Sequence, residues 1–113
     1  MELHITELVG NVSCIRLAGR LDAAAADQLG VRFTASTAAL ARPAVVDLSA
    51  VDFLASMGLR LLISSARALA SKGHKMALFG ATGMTQETLQ NAAIDKIVPV
   101  VGTQDEALAA VST

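Results

Sequence analysis

The chain has 113 residues, 53% of them apolar, 17% charged and 3% aromatic, with 22 alanines supplying much of the apolar share. That length suits a single domain spanning residues 1–113 and leaves no room for a second, while the apolar fraction excludes disorder. Nine Lys and Arg oppose ten Asp and Glu for a formal net charge of −1, and no stretch gathers the basic residues into the patch that a phosphate backbone requires, so nucleic acid is not expected as a partner.

Leu3 to Val9 and Val12 to Ala18 are short apolar-rich runs joined by Gly10-Asn11, a connection that predicts an antiparallel β-hairpin. After Gly19-Arg20-Leu21, Asp22 is placed to cap a helix whose apolar positions Ala26, Leu29, Phe33 and Leu40 recur at helical spacing until Arg42-Pro43 stops it. Ala44 to Leu48 reads as a buried strand of a parallel sheet, followed by a loop from Ser49 to Ala55. A second helix starts near Ser56, with Leu59, Leu62, Ile63, Ala66 and Leu69 on one stripe and Arg60, Ser64, Arg67 and Ser71 on the other. Lys72-Gly73 gives that helix a basic last turn and a glycine stop. Met76 to Phe79 follows as a strand, Gly80 to Gly83 as a turn, and Met84 to Ala93 as a third helix. Ile97 to Val101 makes the last strand, and Pro99 puts it at or near a sheet edge because proline cannot donate to a ladder. Thr103-Gln104-Asp105-Glu106 forms a capping box for a fourth helix ending near Val111. The order β-β-α-β-α-β-α-β-α predicts an α/β fold: a mainly parallel five-stranded sheet with an antiparallel N-terminal strand and four helices.

Most chemistry is excluded by what the motifs lack. Gly80-Ala81-Thr82-Gly83 has no third glycine at dinucleotide spacing, and no Gly-Lys-Ser/Thr element occurs. Leu54-Ala55-Ser56-Met57-Gly58 lacks the first glycine of a hydrolase elbow, and no histidine is placed to serve as its base. Neither an enzyme nor a bound cofactor is expected. His4, His74 and Cys14 stand apart without metal-ligand spacing, so no metal is expected. The single cysteine and the absence of a basic-then-apolar start fit a cytoplasmic setting, and no apolar run approaches the roughly 20 residues of a membrane-spanning helix. What stands out is Ser56, at a loop-to-helix junction with Asp52 before it and Arg60 one turn after. By local sequence it is an N-cap. The same geometry would also tolerate a phosphate, because helix amides and the macrodipole favour an anion there.

Two segments, Ile15 to Asp22 and Val45 to Leu59, resemble the hallmark stretches of STAS domains of the anti-sigma factor antagonist branch, and the similarity extends through the segment beginning at Gly73 and through Ile94 to Val101. The resemblance implies that Ser56 is the serine phosphorylated by a partner, an anti-sigma factor that is itself a serine kinase. It carries Gly58 onto the glycine of the family pattern Asp-Ser-Ser/Thr-Gly, while Ala55 and Met57 replace its aspartate and second hydroxyl residue. It places Asp22 near the phosphorylation loop, on the acidic residue through which the resemblance implies contact with the kinase; a helix-cap role is compatible with this. Arg60 could pair with a phosphate, and Asp52, Met57 and Gly58 complete the expected partner surface.

The function so implied is a protein-binding switch that sequesters the anti-sigma factor kinase and frees a sigma factor, regulating transcription indirectly. A separate serine phosphatase would reset it, and the chain would act as a monomer or weak dimer. The alternative is a STAS scaffold subunit of a sensory assembly or membrane transporter complex, without a phosphorylation cycle; the replacements at Ala55 and Met57 keep it open.

Overall fold

A computed structural model describes residues 1–37 and 39–112. The first two strands, β1 (Glu2–Leu8) and β2 (Val12–Leu21), pair antiparallel with Leu8 opposite Val12. Gly10 and Asn11 both take positive φ in the connecting turn, as the sequence suggests, but Val9 leaves the ladder and stands 80% exposed, making the loop one residue longer than expected. Next come α1 (Ala23–Ser36), β3 (Ala44–Leu54), α2 (Ser56–Ala70), β4 (Met76–Phe79), α3 (Gly83–Asn91), β5 (Val100–Val101) and α4 (Gln104–Val111). A single 3₁₀ turn, Ile94–Lys96, lies between α3 and β5.

Among the described residues the strands form one sheet in the order β1-β2-β3-β4-β5, antiparallel only at β1. From β2 onward the sheet advances one strand at a time in one direction, so crossovers of the usual hand place α1, α2 and α3 on the same face. There Leu29 and Phe33 of α1, Leu62 and Leu69 of α2 and Leu89 of α3 close over Ile15, Leu17, Val46 and Leu78 in the main core. The opposite face is left to α4, whose Ala107 and Val111 cover Val45, Ala77 and Phe79. Leu62, Ala66 and Leu69 are buried as their spacing predicts, whereas Leu59 and Ile63 are half-buried at the core margin. Arg60, Ser64, Arg67 and Ser71 are exposed.

Three expectations change. Helix α1 stops at Ser36; Ala38 lies outside the described residues, and Leu40 is 45% exposed in a turn and not on a buried helical stripe. The C-cap Thr37 leaves helical backbone with φ −114° and ψ −92°, while its Oγ1 donates to the Phe33 carbonyl at 2.9 Å and the Ser36 hydroxyl to the Arg32 carbonyl at 2.6 Å. The last strand shortens to Val100–Val101, because Ile94 to Lys96 form the 3₁₀ turn and Pro99 precedes the ladder; β5 does occupy the sheet edge. Residues 49–54, expected as loop, continue β3.

Candidate functional site

The longer β3 builds the site. Beyond Asp47 it outruns β4 and continues against β2 alone, pairing Ala50 with Ala18, Val51 with Gly19, Phe53 with Arg20 and Leu54 with Leu21. Between Gly19 and Arg20 the register shifts, so Asp52 has no opposite residue in β2; it is the extra residue of a bulge and its side chain is exposed. Bulges of this kind bend a strand and re-aim its side chains. The Arg20 guanidinium stacks 4.2 Å from the centroid of the Phe53 ring, and on the side that β4 leaves open the buried Thr85 hydroxyl of α3 donates to the Val51 carbonyl at 2.8 Å.

At the tip, the Ala55 amide donates to the Leu21 carbonyl at 3.0 Å, tying the start of α2 to the end of β2. Asp22 follows Leu21 and Ser56 follows Ala55, so this one bond makes neighbours of the starts of α1 and α2. Asp22 is the N-cap of α1: its Oδ1 accepts from the Ala25 amide at 2.9 Å, as the sequence predicts. Asp22→Ala should therefore cost about 1 kcal/mol of folding stability and Asp22→Asn much less, which urea unfolding of the two variants will measure.

Ser56 differs from its expected role as a cap. The N-cap of α2 is Ala55, in extended conformation with φ −94° and ψ 170°, and no side chain caps the helix. Ser56 is the first helical residue, exposed, and its hydroxyl makes no hydrogen bond among the described residues. The hydroxyl is thus not spent on structure, and the first amides of α2, which have no partner within the helix, lie beside it as donors for an anion.

Gly58 explains why Ser56 faces outward. A Cβ on Gly58 would lie 2.7 Å from Leu21 Cγ, 2.8 Å from the Leu21 carbonyl oxygen and 2.9 Å from Leu54 Cδ1. Only glycine lets the first turn of α2 press this closely onto the ends of β2 and β3. Two residues span roughly 200° of helix, so with Gly58 turned to the strands Ser56 is turned to solvent. Gly58 itself is buried, and its part in a partner surface would be to hold its neighbours in place. Met57 is 45% exposed and Arg60 is exposed one turn after Ser56.

The structure thus gathers Asp22, Asp52, Ser56, Met57 and Arg60 around the β3–α2 junction, with Gly58 beneath. Sequence reading passed over Arg20, Phe53 and Thr85. Phe53, one of three phenylalanines in a chain without Trp or Tyr, was the available signal. Cys14 lies elsewhere, buried on β2 under Gln104; burial pushes its thiol up, and it takes no part in this site. Among the described residues no three His, Cys, Asp or Glu side chains converge as a metal site would require.

The sequence matches the STAS domain family over residues 5–107. The chain belongs to that family. The STAS domain superposes on the crystal structure of an anti-sigma factor antagonist from Mycobacterium paratuberculosis with a TM-score of 0.87 at 28% identity, covering 99% of this chain and 94% of that one. The phosphorylated form of the Bacillus cell fate determinant SpoIIAA gives a TM-score of 0.70 at 17% identity, with coverage of 96% and 98%. A murine solute carrier 26 family anion transporter gives 0.73 at 15% identity; the match covers 87% of this chain but 17% of the transporter. The last two show likeness of fold alone. No curated protein matches the sequence. No helix among the described residues of this STAS domain is long and apolar enough to cross a membrane.

Proposed function

We propose that this STAS domain is an anti-sigma factor antagonist that works as a phosphorylation-controlled binding switch in the cytoplasm. The observation that carries the reading is Ser56: exposed, uncommitted to a cap, and held outward at the first position of α2 by Gly58. Unphosphorylated, the junction of Asp22, Asp52, Ser56, Met57 and Arg60 binds a serine-kinase anti-sigma factor and frees a sigma factor. Phosphorylated Ser56 adds about −1.5 to −2 charges at pH 7 beside Asp22 and Asp52, and repulsion with lost fit breaks the interface. The kinase supplies ATP, Mg²⁺ and the catalytic base. The chain, as monomer or weak dimer, is substrate and effector without catalysis of its own, and a separate serine phosphatase resets it. Similarity to an anti-sigma factor antagonist at 28% identity supports this reading.

The test is phosphate transfer. Purified protein with labelled ATP should stay unlabelled, and addition of a serine-kinase anti-sigma factor should label it at Ser56 and nowhere in Ser56→Ala. Label without added kinase would overturn the substrate role, while binding without any label would favour a scaffold, the reading to which Ala55 and Met57 lend weight by departing from the family's phosphorylation pattern.

A further inference from the structure

The near-neutral net charge conceals a segregation. No Asp or Glu occurs between Phe53 and Gln86, yet Arg60, Arg67, Lys72 and Lys75 all fall in that stretch. Two of them, Arg60 and Arg67, stand exposed on the outward stripe of α2, and neither has an ion-pair partner among the described residues. Seven residues apart, they lie two turns, roughly 10 Å, along one ridge.

The ridge is bordered by apolar hollows on both sides. Between α1 and α2 runs an open groove of about 640 Å³, lined by Gly30, Val31, Met57 and Leu61 among others, with Arg60 and Ser64 on the α2 wall and Asp27 on the α1 wall. On the other flank, Ile63 and Ile97 border a second hollow shared with Arg60, Ser64 and Arg67. Val31 is 81% exposed and Ile97 43%, large apolar side chains that the fold itself does not cover. Shallow open apolar grooves beside a sparse row of cations fit a helix better than a flat bilayer or a phosphate backbone, which call for a protruding apolar edge or a denser basic patch.

We propose that the outward face of α2 and its groove against α1 dock an acidic amphipathic helix of a partner protein. The apolar stripe of that helix seats on Val31, Met57 and Leu61, and carboxylates seven residues apart pair with Arg60 and Arg67. Asp27 on the far wall sets the orientation, since it repels carboxylates and confines them to the α2 side. The surface adjoins Ser56, but the inference does not rest on phosphorylation.

The test uses the full chain and a synthetic helical peptide with a leucine stripe and Glu residues seven apart, read by fluorescence anisotropy and by methyl NMR. Its Glu→Lys counterpart and phosphatidylglycerol vesicles are run beside it. The expected result is saturable binding of the acidic peptide that moves the Val31, Met57 and Leu61 methyl signals, and that weakens about tenfold in Arg67→Glu and about threefold in Val31→Ser. Both substitutions lie on exposed positions away from Ser56, so kinase labelling of the same variants separates this surface from the switch. Circular dichroism confirms their folding, and Arg67→Gln replaces Arg67→Glu if the reversed charge unfolds the helix. Equal binding of the Lys peptide, unchanged affinity in the Arg67 variant, shifts located elsewhere, binding to vesicles alone, or no saturable binding of the acidic peptide would each overturn the proposal.

Discussion

Ser56→Asp should bind a serine-kinase anti-sigma factor at least about tenfold more weakly than Ser56→Ala, with both variants as well folded as the parent protein. The second half of that expectation comes from the structure. Were Ser56 the N-cap of α2, alanine would remove a hydrogen bond worth about 1 kcal/mol, and any change in binding would be confounded with a frayed helix. With Ala55 as the cap and Ser56 one position inside, there is no cap bond to lose. Alanine is a better helix former than serine, and aspartate in the first turn gains roughly 0.3–1 kcal/mol from the macrodipole. Stability therefore predicts two sound proteins, the aspartate variant slightly the firmer, while the switch predicts the opposite order of affinity. Calorimetric titration of both against the kinase, with thermal melts alongside, reads the two orders separately. Equal affinities would remove the charge mechanism at this position.

Gly58→Ala should destabilise the fold by about 1 kcal/mol and weaken partner binding together with it. Two effects oppose each other. Replacing glycine by alanine inside a helix ordinarily gains close to 1 kcal/mol. Here the added methyl meets Leu21 Cγ at 2.7 Å and the Leu21 carbonyl oxygen at 2.8 Å, and that carbonyl is held in place by the Ala55 amide at 3.0 Å. A side chain can rotate away, but a backbone oxygen engaged at a strand end cannot, and overpacking of this sort costs about 1–3 kcal/mol, from which the propensity gain is subtracted. Relief comes only if α2 lifts off the strands, which would carry Ser56 away from Asp22. Urea unfolding should show a lower midpoint with unchanged slope. A variant at least as stable as the parent would mean that α2 does not approach β2 as closely as described.

Where the chain followed simple periodicity, the sequence was enough. The hairpin at Gly10-Asn11, the exposed stripe of α2 with Leu62, Ala66 and Leu69 of its buried stripe, the Asp22 cap and the edge position signalled by Pro99 were all legible, each from a local rule that packing then respected. The misreadings share a cause. Residues 49–54 looked like loop because the buried positions Leu48, Val51 and Leu54 recur every third residue, where a regular strand alternates; the register shifts in β3 restore the alternation in space while hiding it in the sequence. Leu40 continued a helical spacing that had already ended at Ser36, where the backbone of Thr37 leaves the helix. Ser56 was assigned to the cap because serine favours that position, yet the boundary was set one residue earlier, by the bond from Ala55 to Leu21 and the close approach at Gly58. Those are contacts between segments more than thirty residues apart, and no local pattern encodes them. The family resemblance supplied what composition could not, which is why the serine mattered at all.

The strand order repeats the chain order, and this bears on how the protein is made. As the polypeptide emerges during synthesis, each new strand finds its neighbour already formed at the growing edge, so no early segment must wait for a distant one to pair. The two layers of helix do not share that ease. Helices α1, α2 and α3 close the main core progressively, but the apolar patch of Val45, Ala77 and Phe79 stays bare until α4, which follows all five strands in the chain, swings back across it. A chain stalled after β5 would hold a finished sheet with one sticky face, a substrate for chaperones or for its own aggregation, until the closing helix forms behind its cap, where Thr103 Oγ1 accepts from the Glu106 amide at 3.2 Å and donates to Glu106 Oε1 at 3.0 Å.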